Sequence, residues 1–225
     1  MPIFKKVNKD FFKTWSPEMA YVLGFFAADG YMTLNKRGGH FWSIQINDRD
    51  LLEAIRDAVG SEHLIGVRTR SGNEHAAYRL QIGSKEMCDN LRKLGMQERK
   101  TKSLALPAVP DTYLSEFVRG YFDGDGNVWM GRMNKERASP NLVILTVFTS
   151  CSFAFLKQLQ ERLLRIGLNG GSLYKAKGSY ARLQFSVSDS LKIYELMYNS
   201  RVSCSSKLFL KRKKEAFESY KKMRW

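Results

Sequence analysis

The spacing of apolar and polar positions along the chain predicts the same series of helices and strands twice. The segment SPE at 16 to 18 supplies an N-cap, a first-turn proline and an early acid, and predicts a helix that runs to about Ala28. Alternation in HFWSIQIND then predicts a strand with Ile44 toward a core and Ser43 and Gln45 on the other side. DRDLLEAIRDAV predicts a second helix, and HLIGVRTR and AAYRLQI predict two more strands.

The rest of the chain repeats this order with related residues. AYVLGFFAADGY at 20 to 31 aligns with EFVRGYFDGDGN at 116 to 127, and the offset between Gly24 and Gly120 is 120 − 24 = 96 residues. NLVILTVFTS, GSLYKAKG and YARLQFSV repeat the strands, the prolines of ALPAVPD mark the joint, and the tail KLFLKRKKEAFESYKKMRW predicts a basic final helix. We therefore predict an α/β fold of the α+β type, with two pseudo-symmetric αββαββα halves at residues 1–106 and 107–225.

The first helix of each half carries a stripe of small residues. Gly24 and Ala28 lie four positions apart, as do Gly120 and Gly124, so each pair shares one face of its helix. Small residues let two backbones approach closely. We expect the two helices to pack against each other about a pseudo-twofold axis.

An aspartate stands at the C-terminal end of both helices. Asp29 and Asp125 lie where the helix macrodipole disfavours a negative charge, and packing of the helices would bring them together. Two such carboxylates repel each other unless cations lie nearby, so the repeated acid predicts a divalent-metal site. Gly30 and Gly126 follow the acids, and we expect them to end the helices as C′ residues.

Charge narrows the class of partner. The formal net charge is +15, which favours a polyanion, nucleic acid first and an anionic membrane surface second. No apolar run approaches the roughly 18 residues of a membrane-spanning helix, and the start MPIFKKVNKDFFKTW does not have the pattern of a secretory signal. We expect an intracellular protein, of the cytoplasm and nucleoid or of an organelle matrix, that does not enter a membrane.

At these residues the chain resembles a known family. VLGFFAADG and VRGYFDGDG are similar to the two motifs of single-chain LAGLIDADG homing endonucleases, and the similarity covers nearly the whole chain through the repeated element order. The first motif departs from the family at Ala27, where the family name has aspartate. The resemblance implies a curved antiparallel saddle with the motif helices at its centre. It also implies a monomer that makes a double-strand break at a long asymmetric DNA site by metal-dependent hydrolysis and leaves 3′ overhangs.

The resemblance further implies a metal centre. Asp29 and Asp125 would bind two or more divalent ions, Mg²⁺ with Mn²⁺ as a substitute, and the backbone carbonyls of Ala28 and Gly124 would complete the coordination. Hydrolysis by a metal-activated water needs no side-chain nucleophile.

Lysines after the third helices and one glutamine are further candidates for a catalytic role. Members of the family often have a lysine near the active site, and Lys100 and Lys207 follow the third helix of each half, with Lys102 as the alternative to Lys100. Gln45 lies where the family often places a polar residue near the metals.

The outward strand faces are expected to enter the major groove of double-stranded DNA. Arginine can read guanine and glutamine can read adenine through paired hydrogen bonds, whereas loop lysines more often contact phosphate. The residues that we expect on this surface are Thr33, Asn35, Arg37, Ser43, Arg68, Arg70, Arg79, Gln81, Trp129, Arg132, Lys175, Lys177, Arg182 and Gln184.

Two alternatives share this fold and this basic surface. One is an RNA-binding maturase that acts on its host intron, and the other is a DNA-binding regulator without catalysis. Both acids are present, at Asp29 and Asp125, which favours the nuclease.

Overall fold

The predicted element order is confirmed in both halves. The computed structural model describes residues 5–68, 76–133, 141–199 and 207–224. The elements of the first half are α1 (Pro17–Asp29), β1 (Gly30–Leu34), β2 (His40–Ile46), α2 (Arg49–Ala58), β3 (Gly66–Arg68), β4 (Ala77–Gly83) and α3 (Lys85–Lys93). After a 3₁₀ turn at Asp111–Tyr113, those of the second half are α4 (Leu114–Asp125), β5 (Gly126–Met133), β6 (Asn141–Ser150), α5 (Phe153–Arg165), β7 (Ser172–Lys175), β8 (Ala181–Phe185), α6 (Val187–Tyr198) and α7 (Lys211–Arg224).

Each half forms a four-stranded antiparallel sheet. The strand orders are β1-β2-β4-β3 and β5-β6-β8-β7, so the two sheets have the same topology. Their registers also match, because Ile44 lies opposite Leu80 as Phe148 lies opposite Leu183. These four side chains are fully buried and mark the face of each sheet that packs on the helices. The opposite face is called the outer face below.

Helices α1 and α4 pack with their backbones in direct contact. A Cβ atom on Gly24 would lie 2.1 Å from a backbone oxygen of α4, and one on Gly120 would lie 2.0 Å from a backbone oxygen of α1. Neither position has room for a side chain. Near the C-terminal ends, a Cβ on Gly124 would lie 2.4 Å from the Cβ of Ala28. The predicted small-residue stripe therefore forms the interface between the two helices.

Gly30 and Gly126 end these helices for a different reason from the expected one. Their φ angles are −80° and −90°, which is extended backbone and not the left-handed conformation typical of a C′ glycine. A Cβ on Gly30 would lie 2.1 Å from the ring of Phe26, and one on Gly126 would lie 2.2 Å from the ring of Phe122. Glycine is required because an aromatic ring of the last helical turn lies over it.

One hydrophobic core extends through both halves, and the final helix belongs to it. Phe217 and Tyr220 of α7 are buried in this core. Among the described residues, no helix is both long enough and apolar enough to cross a bilayer.

Candidate active site and sheet surface

The C-terminal ends of α1 and α4 bring two acids into one place. The carboxylate of Asp29 lies beside Gly124, since a Cβ there would be 3.3 Å from Asp29 Oδ2. Loss of hydration raises the pKa of Asp125 to about 6, and the charge of Asp29 adds to this shift. The carboxylate of Asp29 reaches solvent, but the protein atoms packed around it remove part of its hydration and raise its pKa as well. The charged pair is therefore unfavourable in the protein alone.

The donors in this place fit a divalent cation. Paired carboxylates and backbone carbonyls are the oxygen ligands that Mg²⁺ and Ca²⁺ prefer. The absence of a side chain at Gly124 leaves the space beside the Asp29 carboxylate open. Within residues 5–68, 76–133, 141–199 and 207–224, no group of three or more His, Cys, Asp or Glu side chains could hold a metal. Water and substrate oxygens would thus have to fill the remaining coordination positions.

Lys100 lies beside the acids on the first-half side. It is buried, and its Nζ donates a long hydrogen bond of 3.5 Å to the carbonyl of Ala28. The Nζ also lies 5.6 Å from the centre of the Phe26 ring. Burial lowers the pKa of Lys100 to about 8, while the charges of Asp125 and Asp29 oppose that shift. Lys102, the alternative, is exposed.

On the second-half side the lysine beside the acids is Lys213 and not Lys207, which is exposed. Lys213 Nζ donates to the carbonyls of Phe122, Asp123 and Gly126 at 2.6, 2.8 and 2.7 Å. It lies 5.0 Å from the centre of the Phe122 ring, as its first-half counterpart lies over the matching phenylalanine. The lysine in the place expected for Lys207 is thus Lys213, which α7 supplies six residues later in the chain. The sequence run KRKK at 211 to 214 has no pattern that singles out one of its members.

Asp123 is a buried acid whose role the sequence did not indicate. Its Oδ2 accepts hydrogen bonds from the hydroxyl of Tyr21 at 2.7 Å and from the backbone N–H of Leu210 at 2.8 Å. Burial raises the pKa of Asp123 to about 6, against the hydrogen bond from Tyr21. These bonds fasten the start of α7 to α1 and α4, and thereby fix Lys213. The first half has Ala27 at the matching position.

Gln45 lies in a cleft of about 370 Å³ next to Asp29. The cleft is also lined by Asp48, Asp123 and Arg212. The structure therefore brings Gln45 close to one acid, while its counterpart by register in the second sheet is a threonine. A larger cleft of about 910 Å³ lies between the N-terminal segment and α3, and neither acid of the helix pair lines it.

Strand register sorts the residues that were predicted to face DNA. Those on the outer faces are Thr33, Arg68, Arg79, Gln81, Trp129, Arg182 and Gln184. Those in the loops at strand ends are Asn35, Arg37 and Lys177. Arg70 lies outside the described residues.

Three of these predictions need correction. Ser43 is on the outer face but fully buried, because it lies between the side chains of β1 and β4 that flank it in register. Arg132 and Lys175 pair with core-facing residues of β6 and β8, so alternation places them on the helix side of their sheet, at strand ends where they reach solvent.

Two solved meganucleases have the same architecture. The structure of I-AabMI bound to uncleaved DNA superposes with a TM-score of 0.61 at 17% sequence identity, covering 93% of this chain and 90% of that one. I-SmaMI bound to uncleavable DNA gives a TM-score of 0.60 at 14% identity, covering 90% of this chain and 88% of that one. The chain thus has the two-half LAGLIDADG meganuclease fold, with α1 and α4 between the halves.

The chain belongs to the family of LAGLIDADG-like domains. The sequence profile of that family matches residues 16–95 and 112–212, one match in each half. An uncharacterized protein of Methanocaldococcus jannaschii is 24% identical over 218 residues, which cover 90% of this chain and 71% of that protein. A probable translation initiation factor IF-2 of Thermococcus kodakarensis is 28% identical over 130 residues, which are 54% of this chain and 10% of that protein.

Proposed function

We propose that this protein is a homing-type DNA endonuclease that hydrolyses one phosphodiester bond in each strand of a long asymmetric duplex site. The observation that carries the proposal is the meeting of Asp29 and Asp125 at the ends of two packed helices, between two sheets with basic outer residues. Structures of the similarly folded I-AabMI with uncleaved DNA and of I-SmaMI with cleaved DNA support it.

A divalent-metal centre is part of the proposal. Asp29 and Asp125 would hold two or more ions, Mg²⁺ or in its place Mn²⁺, together with the carbonyls of Ala28 and Gly124. When bound, the metal supplies Lewis-acid polarisation of the scissile phosphate and lowers the pKa of the attacking water. The Gly124 carbonyl is not among the acceptors of Lys213, which is consistent with this role. I-SmaMI has also been solved with its DNA target in the presence of calcium ions.

The two lysines have different roles in this mechanism. Lys213 uses three N–H donors on backbone carbonyls, so it neutralises the C-terminal end of α4 and keeps the acid-bearing turn in place. Lys100 makes a longer contact of 3.5 Å and can turn toward the phosphate or the attacking water. A lysine with a pKa of about 8 can hold or release a proton near neutral pH.

A single chain suffices for this reaction. Each half contributes one acid and one sheet, so a monomer would serve both DNA strands and leave 3′ overhangs. Because the outer residues of the halves differ, the preferred site would not be palindromic.

The test compares Asp29→Asn and Asp125→Asn with the wild type on a large pool of duplex DNA, with Mg²⁺ or with EDTA. We expect paired breaks at one recurrent site in Mg²⁺ only, and a fall in rate of about 10³-fold in either variant. Binding in a gel-shift assay should persist. Asp57→Asn, at an exposed position of α2, is the matched control and should cleave normally.

Two outcomes would change the conclusion. Wild-type cleavage by the double variant would refute the metal assignment. Tight binding without breaks, from a pool known to contain the bound site, would favour the DNA-binding regulator or the maturase, and RNA binding would then separate those two.

A further inference from the structure

The outer faces of the two sheets differ in chemistry at matching positions. In the first half the central strand β2 presents Phe41, Ser43 and Gln45 outward. The matching positions of β6 in the second half are Leu145, Val147 and Thr149, and Val143 extends the row beyond the end of β2. The match is set by register, since Val147 pairs with Gln184 of β8 as Ser43 pairs with the glutamine of β4. We call Val143, Leu145 and Val147 the aliphatic row.

The aliphatic row is open to a partner. All three side chains are half-buried, and they lie on the side of the sheet away from the hydrophobic core. Trp129 lies opposite Leu145 and is 45% exposed. Its ring is held over Gly131, where a Cβ would lie 2.5 Å from a ring atom. The row and Trp129 together give the second sheet a continuous apolar strip, whereas on the matching strand of the first sheet Phe41 is followed outward by the polar Ser43 and Gln45.

The surroundings of the row favour a polyanion over another protein. The four strands of the second sheet contain no aspartate or glutamate. Arg182 lies on the same face, and Lys177 lies exposed in the loop between β7 and β8. The face begins at the end of α4, directly after Asp125. An apolar strip with a basic border that leads away from the candidate metal centre fits the major groove of the duplex proposed above.

We propose that the aliphatic row reads thymine methyl groups, so that the half-site bound by the second sheet is richer in thymine than the half-site bound by the first. This inference rests on the proposed function. Thymine alone presents a methyl group in the major groove, and apolar side chains contact it there. Cytosine N4 and guanine O6 would be left without hydrogen-bond partners against valine or leucine. Gln184 and Arg182, beside the row, supply the polar contacts of the same half-site.

The spacing of the row gives the expected pattern of preference. Residues two apart on a strand are separated by about 6.8 Å, which is close to two base-pair steps of about 3.4 Å each. Val143, Leu145 and Val147 would then meet roughly every second base pair along the groove. The first sheet has Gln45 on the matching strand and would select bases there by hydrogen bonds instead, while its Arg79 and Gln81 correspond to Arg182 and Gln184 of the second sheet.

The experiment first recovers the preferred site from a randomised duplex library, by binding and by cleavage in Mg²⁺. Thymines of each half-site are then replaced by deoxyuridine, which removes only the methyl group. We expect about fourfold weaker binding for each methyl lost in one half-site, and little change in the other.

Val143→Thr and Val147→Thr identify the side chains responsible. Threonine has nearly the shape of valine and the same strand preference, so the fold should be kept. Each variant should reduce the difference between thymine and deoxyuridine in the sensitive half-site. Val67→Thr, the same change at an exposed strand position of the first half, is the control and should leave the difference unchanged.

The outcomes separate the two proposals. Equal sensitivity of both half-sites to deoxyuridine, or a sensitivity that both variants leave intact, would overturn the reading of methyl groups while the endonuclease stands. A chain that neither binds nor cleaves any duplex of the library would overturn the proposed function and this inference together.

Discussion

Lys100 and Lys213 occupy matching places but differ in how firmly each is held. Lys213 donates to three backbone carbonyls, whereas Lys100 makes one long hydrogen bond. We expect Lys100→Met to lower the single-turnover cleavage rate by about 10²-fold and to leave thermal stability nearly unchanged. Lys213→Met should destabilise the protein by about 1–3 kcal/mol, because buried carbonyls lose their donor. Urea unfolding and cleavage assays on both variants measure these effects.

The exposed Lys207 provides the control for both changes. Lys207→Met removes the same charge without touching the helix ends, and it should alter neither quantity. A Lys213→Met variant as stable as the wild type would contradict the structural role of Lys213. Cleavage by Lys100→Met at the wild-type rate would contradict the catalytic role of Lys100.

Asp125 makes the metal-free protein sensitive to pH. Its pKa is raised from 3.8 to about 6, so folding disfavours its charged form. The free energy of unfolding therefore falls as pH rises from about 4 to about 6, because Asp125 ionises more easily in the unfolded chain. A bound cation should restore the lost stability. We expect Mg²⁺ to raise the melting temperature at about pH 7.5 and to have little effect at about pH 5. Calorimetric scans at both values, with and without Mg²⁺, measure the difference.

Asp125→Asn is the matched variant for this effect. It should melt at or above the wild-type temperature without metal at about pH 7.5, and it should lose most of the increase on adding Mg²⁺. An equal Mg²⁺-induced increase in wild type and variant would place the cation elsewhere.

The pairing of α1 and α4 depends on the missing side chains at their contact. Gly24→Ala would place a Cβ 2.1 Å from a backbone oxygen of α4, and backbone cannot rotate away as a side chain can. We expect a loss of about 1–3 kcal/mol or more in the free energy of unfolding. Gly170→Ala is the control, since a Cβ there meets no atom within 4 Å. Denaturant unfolding compares the two, and equal stability of both variants would contradict the close packing.

The elements themselves follow well from local sequence, but some side-chain positions do not. The helix pair and the order of helices and strands along the chain are predictable because the small-residue stripe and the alternating strands repeat in both halves. The faces of Arg132 and Lys175 do not follow from the sequence, because alternation fixes a face only when the phase of the strand is known at its end. Lys213 could not be identified because its position depends on the bond between Asp123 and Leu210, which are 87 residues apart.

At the level of the complete chain, duplication has produced two halves with one topology and different outer surfaces. The fold and an aspartate at the end of the first helix are common to both copies, so a search for internal repeats finds them. The differences lie in single positions such as Ser43 and Val147, which share a register but not a chemistry. An excess of basic residues, 37 Lys and Arg against 22 Asp and Glu, concerns the whole molecule and says little about which residue reads which base.

The contact between Ala28 and Gly124 determines which half could pair with a second copy of itself. The interface has room for one methyl group at this level, because a second would lie 2.4 Å from the first. Two copies of the second half could meet there with glycine facing glycine, while two copies of the first half would collide. A symmetric protein built from two copies of the first half would therefore need Ala28→Gly.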